Sequence, residues 1–303
     1  AQQNKFGLVS LNERFGGATL PTIELVDLAE QYRKKLMRQH FSAPLITAIE
    51  ETLSRKEQVV LFQNRRGFSA MIECLTCGHI PQCPDCDVSL TYHSHQEVLR
   101  CHYCGHQQGV PHACMACAGP QLDRIGLGTQ QIELNLQSLF PAARLARMDQ
   151  DTTKGKHAFT QLIERMNQGE IDILIGTQML AKGLDFDRVS LVGILNADQL
   201  MNFPDFRAQE RAYQLMSQVS GRAGRRGIQG RVIIQTYTPG HQLLQQVVAG
   251  DYKAMYDQQS QQREQFQYPP FCKLIRVTIK HRDLKLSQAA ATWLFKVSEQ
   301  KMG

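Results

Sequence analysis

Short, continuous apolar runs recur along the chain and are separated by stretches with helical periodicity. The runs predict five buried strands, at residues 58–62, 144–148, 171–175, 189–195 and 231–235. Their apolar positions are continuous rather than alternating, which is typical of parallel strands covered on both faces of a sheet. The stretches between them predict helices at residues 129–139, 156–167 and 206–219. This alternation of strand and helix predicts an α/β, doubly wound parallel-sheet domain.

The C-terminal part of the chain has a different pattern. A Gln-rich helical stretch at residues 242–267 leads to the sequence Tyr268-Pro-Pro-Phe271. Prolines punctuate local structure, so this sequence predicts a boundary. A strand at residues 273–280 and a helix at residues 285–301 are predicted beyond it, as the start of a C-terminal α+β domain.

Composition excludes several classes of protein. Hydrophobic residues make up 42% of the chain, which is normal for a globular protein with a sizeable core. No run of about 18 apolar residues is present, so no membrane span is predicted. The first residues lack a signal-peptide pattern and an initiator Met, and the last follow directly on a predicted helix. We therefore expect a piece of a longer protein.

The cysteines are concentrated in one segment, since eight of the nine lie between Cys74 and Cys117. They form four Cys-x-x-Cys pairs: Cys74/Cys77, Cys83/Cys86, Cys101/Cys104 and Cys114/Cys117. Two such pairs supply the four thiolates that Zn²⁺ binds in a tetrahedron, so four pairs predict two structural zinc sites. A disulfide scaffold needs a secretory context that the sequence does not show, and four tandem pairs argue against a thioredoxin-like redox site. An iron–sulfur cluster is the less favoured alternative at these spacings.

The spacing between the pairs bears on which of them share a metal. The fourteen residues between the second and third pairs alternate at 88–92, turn at 93–96 and resume as a strand at 98–100. They predict a zinc-ribbon hairpin, and hence a nested pairing. The inner site is then Cys83, Cys86, Cys101 and Cys104, and the outer site is Cys74, Cys77, Cys114 and Cys117. Six histidines could substitute as ligands, although eight thiolates already suffice: His79, His93, His95, His102, His106 and His112.

The formal net charge of +6 invites a nucleic-acid interpretation, but it counts the cysteines as neutral. Eight thiolates would remove eight charges and two Zn²⁺ ions would return four, which leaves +2. Overall charge is therefore a weak argument, and only local clusters of arginine can support a nucleic-acid role.

Two strings of residues carry more specific chemistry. The first, Ile175-Gly-Thr-Gln-Met-Leu-Ala-Lys-Gly-Leu-Asp-Phe186, follows the carboxyl end of a predicted strand, where open α/β sheets place their ligand sites. The second, Gln218-Val-Ser-Gly-Arg-Ala-Gly-Arg225, ends a predicted helix and places two arginines three residues apart on one face. Small residues between the arginines let a phosphate approach, and planar guanidinium forks suit phosphate oxygens. A solvated basic turn is the alternative for an isolated arginine pair, but the eight-residue string is far more specific.

These two strings resemble motifs V and VI of superfamily-two helicases. Three further strings accompany them and the cysteine block: Asn64-Arg-Arg-Gly-Phe68, Gly126-Leu-Gly-Thr129 and Tyr268-Pro-Pro-Phe271. In this order, along nearly the whole chain, they resemble the PriA family of bacterial replication-restart helicases (primosomal protein N′). The resemblance implies a RecA-like second helicase lobe with an inserted two-zinc module. It also implies that the chain is a C-terminal fragment of a 3′-to-5′ ATP-dependent DNA helicase that restarts stalled forks and initiates primosome assembly.

The resemblance implies roles at the nucleotide. Arg222 and Arg225 would reach the γ-phosphate as arginine fingers, with Gln218 nearby. Gly183 and Asp185 would lie at the nucleotide edge of the cleft.

The resemblance also implies contacts with DNA and with other proteins. Thr177 would touch the DNA backbone, and Arg66 and Phe68 would also contact DNA. Phe68, Tyr92 and Tyr103 are candidates for base stacking, although such residues more often pack in cores. The cysteine module would engage forked DNA and primosome proteins, and single-strand-binding protein is a further implied partner. The implied location is the bacterial cytoplasm, without membrane attachment.

The predicted domain organisation has four parts. Residues 1–20 would be a remnant of the first lobe and the inter-lobe linker, and residues 21–72 and 120–245 the second lobe. Residues 73–119 would be the cysteine module, and residues 246–303 a linker helix and the start of the C-terminal domain.

One departure from a complete helicase affects the predicted activity. The sequence contains neither a Gly-x-x-x-x-Gly-Lys-[Ser/Thr] phosphate loop nor an Asp-Glu-x-His string, which belong to the first lobe. ATP and Mg²⁺ are therefore expected cofactors of the full-length enzyme, and we expect this chain alone to be inactive. The alternative hypothesis is a zinc-dependent DNA or protein docking module on an inactive α/β scaffold. The paired arginines at the sheet edge argue against it, because a docking module does not need them.

Overall fold

The structure, a computed structural model, describes residues 9, 20–63, 71–86, 88–93, 96–101, 104–120, 122–125, 129–149, 152–153, 157–181, 186–224, 229–275, 277–279, 281 and 283–302. Its strands are β1 (Thr22–Asp27), β2 (Met37–Arg38), β3 (Phe41–Ser42), β4 (Gln58–Phe62), β5 (Met71–Cys74), β6 (Thr91–His93), β7 (Val98–Arg100), β8 (Gln107–Gly109), β9 (Leu122–Ile125), β10 (Leu145–Met148), β11 (Ile173–Gly176), β12 (Val189–Ile194) and β13 (Arg231–Thr236). Its helices are α1 (Leu28–Arg33), α2 (Ala43–Ser54), α3 (Thr129–Leu139), α4 (Ala158–Asn167), α5 (Asp198–Met201), α6 (Ala208–Ser220), α7 (Gln242–Ala249), α8 (Tyr252–Gln265) and α9 (Leu284–Met302), with a 3-10 turn at Gln178–Ala181.

Six strands form one sheet in the order β1-β13-β12-β4-β11-β10, and every neighbouring pair in it is parallel. Parallel neighbours need long crossover connections, and helices provide them here. The sheet and its helices confirm the predicted α/β parallel-sheet domain.

Both faces of this sheet are covered, which explains the continuous apolar runs. In β4, Val59 and Leu61 belong to one core with residues of α2 and α3. Val60 and Phe62 belong to a second core, with residues of α4, α6 and α7. Successive side chains of a strand point to opposite faces, so burial on both faces requires an apolar residue at every position.

The predicted elements of this domain are confirmed, with ends that shift by at most two residues. The strand at Gln58–Phe62 and the helix at Thr129–Leu139 have the predicted bounds. Several elements were missed, among them strand β1, which pairs with β13 at the edge of the sheet, and helix α2. The predicted helical stretch at residues 242–267 is divided into α7 and α8, because Gly250 ends α7 with a left-handed φ of 66°.

The cysteine module leaves the sheet after β4 and returns before α3 through an antiparallel stem of β5 and β9. Beyond the stem, β6, β7 and β8 form an antiparallel three-stranded sheet. The predicted ribbon hairpin is confirmed as β6 and β7, whereas β8 was not predicted. The module has a small core of its own, built around Val88, Leu90, Tyr92 and Leu99.

The chain divides into two compact units, Ala1–Ser260 and Gln261–Gly303. In the second unit the predicted helix at residues 285–301 is confirmed as α9, but the strand predicted at 273–280 is wrong. Residues 273–275 and 277–279 form neither helix nor strand, and Ile275 is 87% exposed. Extended backbone forms a strand only where a neighbour pairs with it, and the described residues of this unit offer no such neighbour.

The division between the two compact units follows Ser260 and does not coincide with the domain boundary predicted at residue 246. The four-part domain organisation stays a prediction. Within the described part of the chain, no helix combines the length and the apolar character that crossing a membrane requires.

Candidate functional site

Three of the four cysteine knuckles are closed by their own backbone, and the residue after Cys86 lies outside the described residues. Gly78 N donates to Cys74 O at 2.7 Å, Gly105 N to Cys101 O at 3.2 Å, and Ala118 N to Cys114 O at 2.9 Å. The residue after the second cysteine takes a left-handed φ in all three: 73° at Gly78, 79° at Gly105 and 57° at Ala118. Glycine adopts this conformation without strain, so Cys-x-x-Cys-Gly is a sequence signal for the turn.

The turns bring the eight thiols into two groups of four: Cys74, Cys77, Cys114 and Cys117, and Cys83, Cys86, Cys101 and Cys104. These are the groups of the predicted nested pairing. Within each group all sulfur atoms lie within 4.8 Å of one another. The Sγ–Sγ distances are 3.6 Å for Cys74 and Cys117 and 3.5 Å for Cys83 and Cys104. A tetrahedron with Zn–S bonds of about 2.3 Å has edges of about 3.8 Å, so each group fits one zinc ion. Neither group includes a described histidine.

The electrostatics of these thiols favour a bound cation. Burial raises the pKa of Cys77 to about 12. Burial, together with the neighbouring thiols of Cys104 and Cys101, raises the pKa of Cys83 to about 11. Burial acts most strongly on Cys74 and raises its pKa, but backbone hydrogen bonds from residues 77 and 76 and the thiols of Cys117 and Cys114 together outweigh it and lower that pKa to about 7. A dication at the centre of each group would offset the repulsion among four thiolates, as tetrahedral zinc does.

The Cys74/Cys77 knuckle of the outer cysteine group lies against the α/β domain. A Cβ added at Gly78 would lie 2.3 Å from Cβ and Cγ of Tyr237, the residue that follows β13. Nearby, Asp198 of α5 accepts hydrogen bonds from Tyr237 N and Thr238 Oγ1, both at 2.8 Å. Burial raises the pKa of the Asp198 carboxyl. The module is thus seated on residues that are fixed to the sheet.

Thr177 of the motif V segment, Ile175–Phe186, lies where the predicted ligand edge should be. It follows β11 at its carboxyl end, and its N donates to Met148 O at the end of β10 at 3.3 Å. On the other side of β11, Gln63 N donates to Gly176 O at 2.9 Å. Thr177 therefore lies at the carboxyl edge of the sheet, flanked by the ends of β4 and β10.

The motif VI segment, Gln218–Arg225, begins in the last turn of α6, where Gln218 is exposed. After the helix ends, Gly224 N donates to Val189 O at the start of β12 at 3.0 Å. A Cβ added at Gly230, just before β13, would lie 2.5 Å from both the carbonyl carbon and oxygen of Ala223. The segment is therefore held between the starts of two neighbouring strands.

A side chain of the second segment contacts the backbone of the first. Arg222 Nη2 donates a hydrogen bond to Ala181 O at 3.0 Å. Ala181 ends the 3-10 turn of the motif V segment and is 7% exposed. Sequence reasoning missed Ala181, and no signal marks it, because the contact uses its backbone oxygen. Gly230 was missed as well, although a glycine directly before a buried strand was a usable signal.

The remaining predicted site residues have different outcomes. Tyr92 is 7% exposed and packs in the core of the cysteine module, so it has the packing role that was the favoured alternative to stacking. Six lie outside the described residues: Arg66, Phe68, Tyr103, Gly183, Asp185 and Arg225.

Two family models match this chain. The PriA DNA helicase Cys-rich region domain matches residues 83–108, which include the inner cysteine group. The helicase conserved C-terminal domain matches residues 128–227, which include both motif segments. Among solved structures, RecG bound to a three-way DNA junction covers 91% of this chain and 27% of its own, at 12% identity and a TM-score of 0.46.

Curated relatives match almost the whole chain. Replication restart protein PriA of Bacillus subtilis is 46% identical over 292 residues, 96% of this chain and 36% of the relative. The protein of the same name from Haemophilus influenzae is 42% identical over 294 residues, 95% of this chain and 40% of the relative. The chain thus spans 36% and 40% of the length of these relatives. The cysteine groups and the helicase segments lie within the matched residues, so the chain is similar to replication restart proteins named PriA along almost its whole length.

Proposed function

We propose that this chain is the second motor lobe of an ATP-dependent 3′-to-5′ DNA helicase that restarts stalled replication forks and initiates primosome assembly. The observation that supports this most is the motif VI segment, held at the end of α6 between β12 and β13 and joined to motif V through Arg222. A docking scaffold has no use for such an arrangement of arginines beside a sheet.

The chemistry that this lobe supplies is stabilisation of charge. Phosphoryl transfer needs a phosphate cradle, Mg²⁺ held by a carboxylate and a positioned water, and those parts belong to the first lobe. This chain adds the guanidinium groups of Arg222 and Arg225, with Gln218 beside them and Gly183 and Asp185 at the edge of the cleft. An arginine finger is typically worth about 10³–10⁵ in turnover.

Lobe closure links this chemistry to DNA. The arginines would reach nucleotide only when the two lobes approach, so the nucleotide state sets the lobe position. Thr177, at the carboxyl edge of the sheet, is a proposed DNA contact of this lobe, and Arg66 and Phe68 are the others. Movement between the lobes then becomes movement along single-stranded DNA.

The cysteine module has a structural role in this proposal. Its two groups hold two Zn²⁺ ions, which fold the module and present it to forked DNA and primosome proteins. Single-strand-binding protein is a further proposed partner, and the bacterial cytoplasm is the proposed location. The names of the relatives support work at replication restart.

The direct test replaces the arginine proposed for the γ-phosphate. In the full-length protein, we expect Arg225→Ala to lower DNA-stimulated ATP turnover by about 10³-fold or more, while single-stranded DNA binding largely survives. Arg165→Ala is the matched control, because the pair that Arg165 forms with Glu170 is exposed at both side chains. Normal turnover by the Arg225→Ala protein would refute the assignment and favour the docking scaffold.

A further inference from the structure

The two cysteine groups share one pattern of burial. In both groups the first cysteine of each knuckle is at most 4% exposed: Cys74 and Cys114 in the outer group, Cys83 and Cys101 in the inner group. Cys77 and Cys86 are half-buried. Cys104 and Cys117, the second cysteines of the third and fourth knuckles, are exposed. Each group therefore has one thiol at the protein surface.

The surroundings of the two exposed sulfurs decide what can reach them. At Gly119 an added Cβ would lie 3.2 Å from Cys117 Sγ, so the missing side chain leaves one side of this sulfur uncovered. The Asp85 carboxylate lies 4.0 Å from Cys104 Sγ, and His106 N donates to the same sulfur at 3.4 Å. A carboxylate repels anions, so a small neutral electrophile is favoured over an anionic one at Cys104.

Each exposed sulfur lies close to a buried sulfur of another knuckle. Cys104 Sγ is 3.5 Å from Cys83 Sγ, and Cys117 Sγ is 3.6 Å from Cys74 Sγ. A disulfide requires two sulfurs at about 2.05 Å, so an approach of roughly 1.5 Å closes either pair. The buried sulfur is thus placed to react with a modified sulfur at the surface before further oxidation takes place.

We propose that Cys104 and Cys117 are sites of reversible oxidation by a neutral peroxide, and that each then forms a disulfide across two knuckles. Cys104 pairs with Cys83, and Cys117 pairs with Cys74. Disulfide formation releases the zinc ion of the group. This role rests on the two zinc ions of the proposed function and is independent of helicase activity.

The reaction balances with hydrogen peroxide as the oxidant. The Cys104 thiolate attacks one oxygen, so an S–O bond forms, the O–O bond breaks and hydroxide leaves. The Cys83 thiolate then attacks the Cys104 sulfur, so an S–S bond forms and the second oxygen leaves as hydroxide. Two thiolates lose two electrons, and one peroxide becomes two hydroxide ions. The group keeps two of its four thiolates, which is too few for a closed tetrahedral zinc site.

The test treats the zinc-loaded chain with hydrogen peroxide. Zinc release is followed with a coloured chelator, and disulfide-linked peptides are identified by mass spectrometry after the remaining thiols are alkylated in acid-quenched samples. We expect one zinc ion released per disulfide, with Cys83 linked to Cys104 and Cys74 linked to Cys117. Reduction in the presence of added zinc should restore both sites. Disulfides within one knuckle, or first oxidation at a buried cysteine, would overturn the proposal.

A histidine in place of one ligand separates the exposed thiolate from metal binding. Imidazole also binds Zn²⁺, so Cys104→His should keep two ions but lose the exposed thiolate of the inner group. Peroxide should then release one ion at the parent rate and the other about tenfold more slowly or less. Cys86→His is the matched control, because Cys86 is half-buried and both Cys83 and Cys104 remain, so both ions should leave at the parent rate.

Metal content, measured before peroxide is added, distinguishes the possible failures. Fewer than two ions in the unsubstituted chain would refute the zinc role in the proposed function together with this inference. Two ions without the predicted disulfides, or equal release from the two histidine variants, would refute this inference alone. If Cys104→His holds only one ion, the linkage of peptides in the unsubstituted chain decides.

Discussion

Gly230 has no chemical group to offer a substrate, yet the arginine segment depends on it. The backbone of Ala223 and Gly224 lies where a side chain at position 230 would be, with Gly224 N at 2.7 Å from an added Cβ. Backbone atoms cannot rotate away as a flexible side chain can. A methyl group here must therefore displace the segment that presents Arg222 and Arg225.

We predict that Gly230→Ala impairs both stability and activity. Overpacking of this kind costs about 1–3 kcal/mol, so the free energy of unfolding should fall by that amount in urea titrations of this chain. In the full-length protein, DNA-stimulated ATP hydrolysis should fall sharply although every charged group remains. Gly240→Ala is the control, because nothing lies within 4 Å of a Cβ at that position. If the two variants behave alike, the close packing at Gly230 is without consequence.

Single residues differ in how far the sequence could predict them. The eight cysteines and the string that contains Arg222 were predictable, because fixed spacings reflect local geometry. The partner of Arg222 was not, because Ala181 contributes a backbone oxygen that every residue has. The contact between Tyr237 and Gly78 could not be predicted either, because it depends on how the cysteine module packs against the α/β domain.

At the scale of elements, the pairing of the cysteine knuckles can be tested by metal content. The unsubstituted chain should hold two zinc ions. Cys83→Ser combined with Cys101→Ser should remove one ion, because both residues belong to the inner group. Cys74→Ser combined with Cys83→Ser should remove both ions, because each belongs to a different group. Metal analysis with thiol titration measures this, and equal losses in the two double variants would contradict the nested pairing.

Metal removal should unfold the cysteine module selectively. Its core is small and includes Cys83 and Cys101 themselves, whereas the sheet is buried between two larger cores. Small metal domains fold with their metal, so strong chelation should abolish amide protection in β6 and β7. Protection in β4 and β12 should persist through the same treatment. Hydrogen exchange measures the module and the sheet in one experiment, and persistent protection of β6 and β7 in zinc-free protein would contradict this prediction.

The elements also show where sequence patterns succeed. The runs at β4 and β11 are apolar at every position because both faces are buried, and such runs stand out. Strand β1 is at the sheet edge and is only partly buried, so its pattern was weak. The prediction of a strand at residues 273–280 was wrong because composition indicates only that the backbone tends to be extended. A strand also requires a neighbouring strand with which to form hydrogen bonds.

At the scale of the whole molecule, the chain corresponds to a part of each relative's length. It covers 36% and 40% of the relatives from Bacillus subtilis and Haemophilus influenzae, and its sequence contains no phosphate loop. We therefore propose that it forms one side of a cleft, with guanidinium groups on that side. A lone half-site leaves the triphosphate mostly in water, so ATP binding by this chain should be feeble.

The most direct measurement compares ATP hydrolysis by this chain and by the full-length protein, each with single-stranded DNA. We predict DNA-stimulated turnover by the full-length protein, and no hydrolysis above background by this chain at the same concentration. Substantial DNA-stimulated hydrolysis by this chain alone would contradict the proposed function, because the parts that hold and activate the triphosphate would then have to lie within this chain.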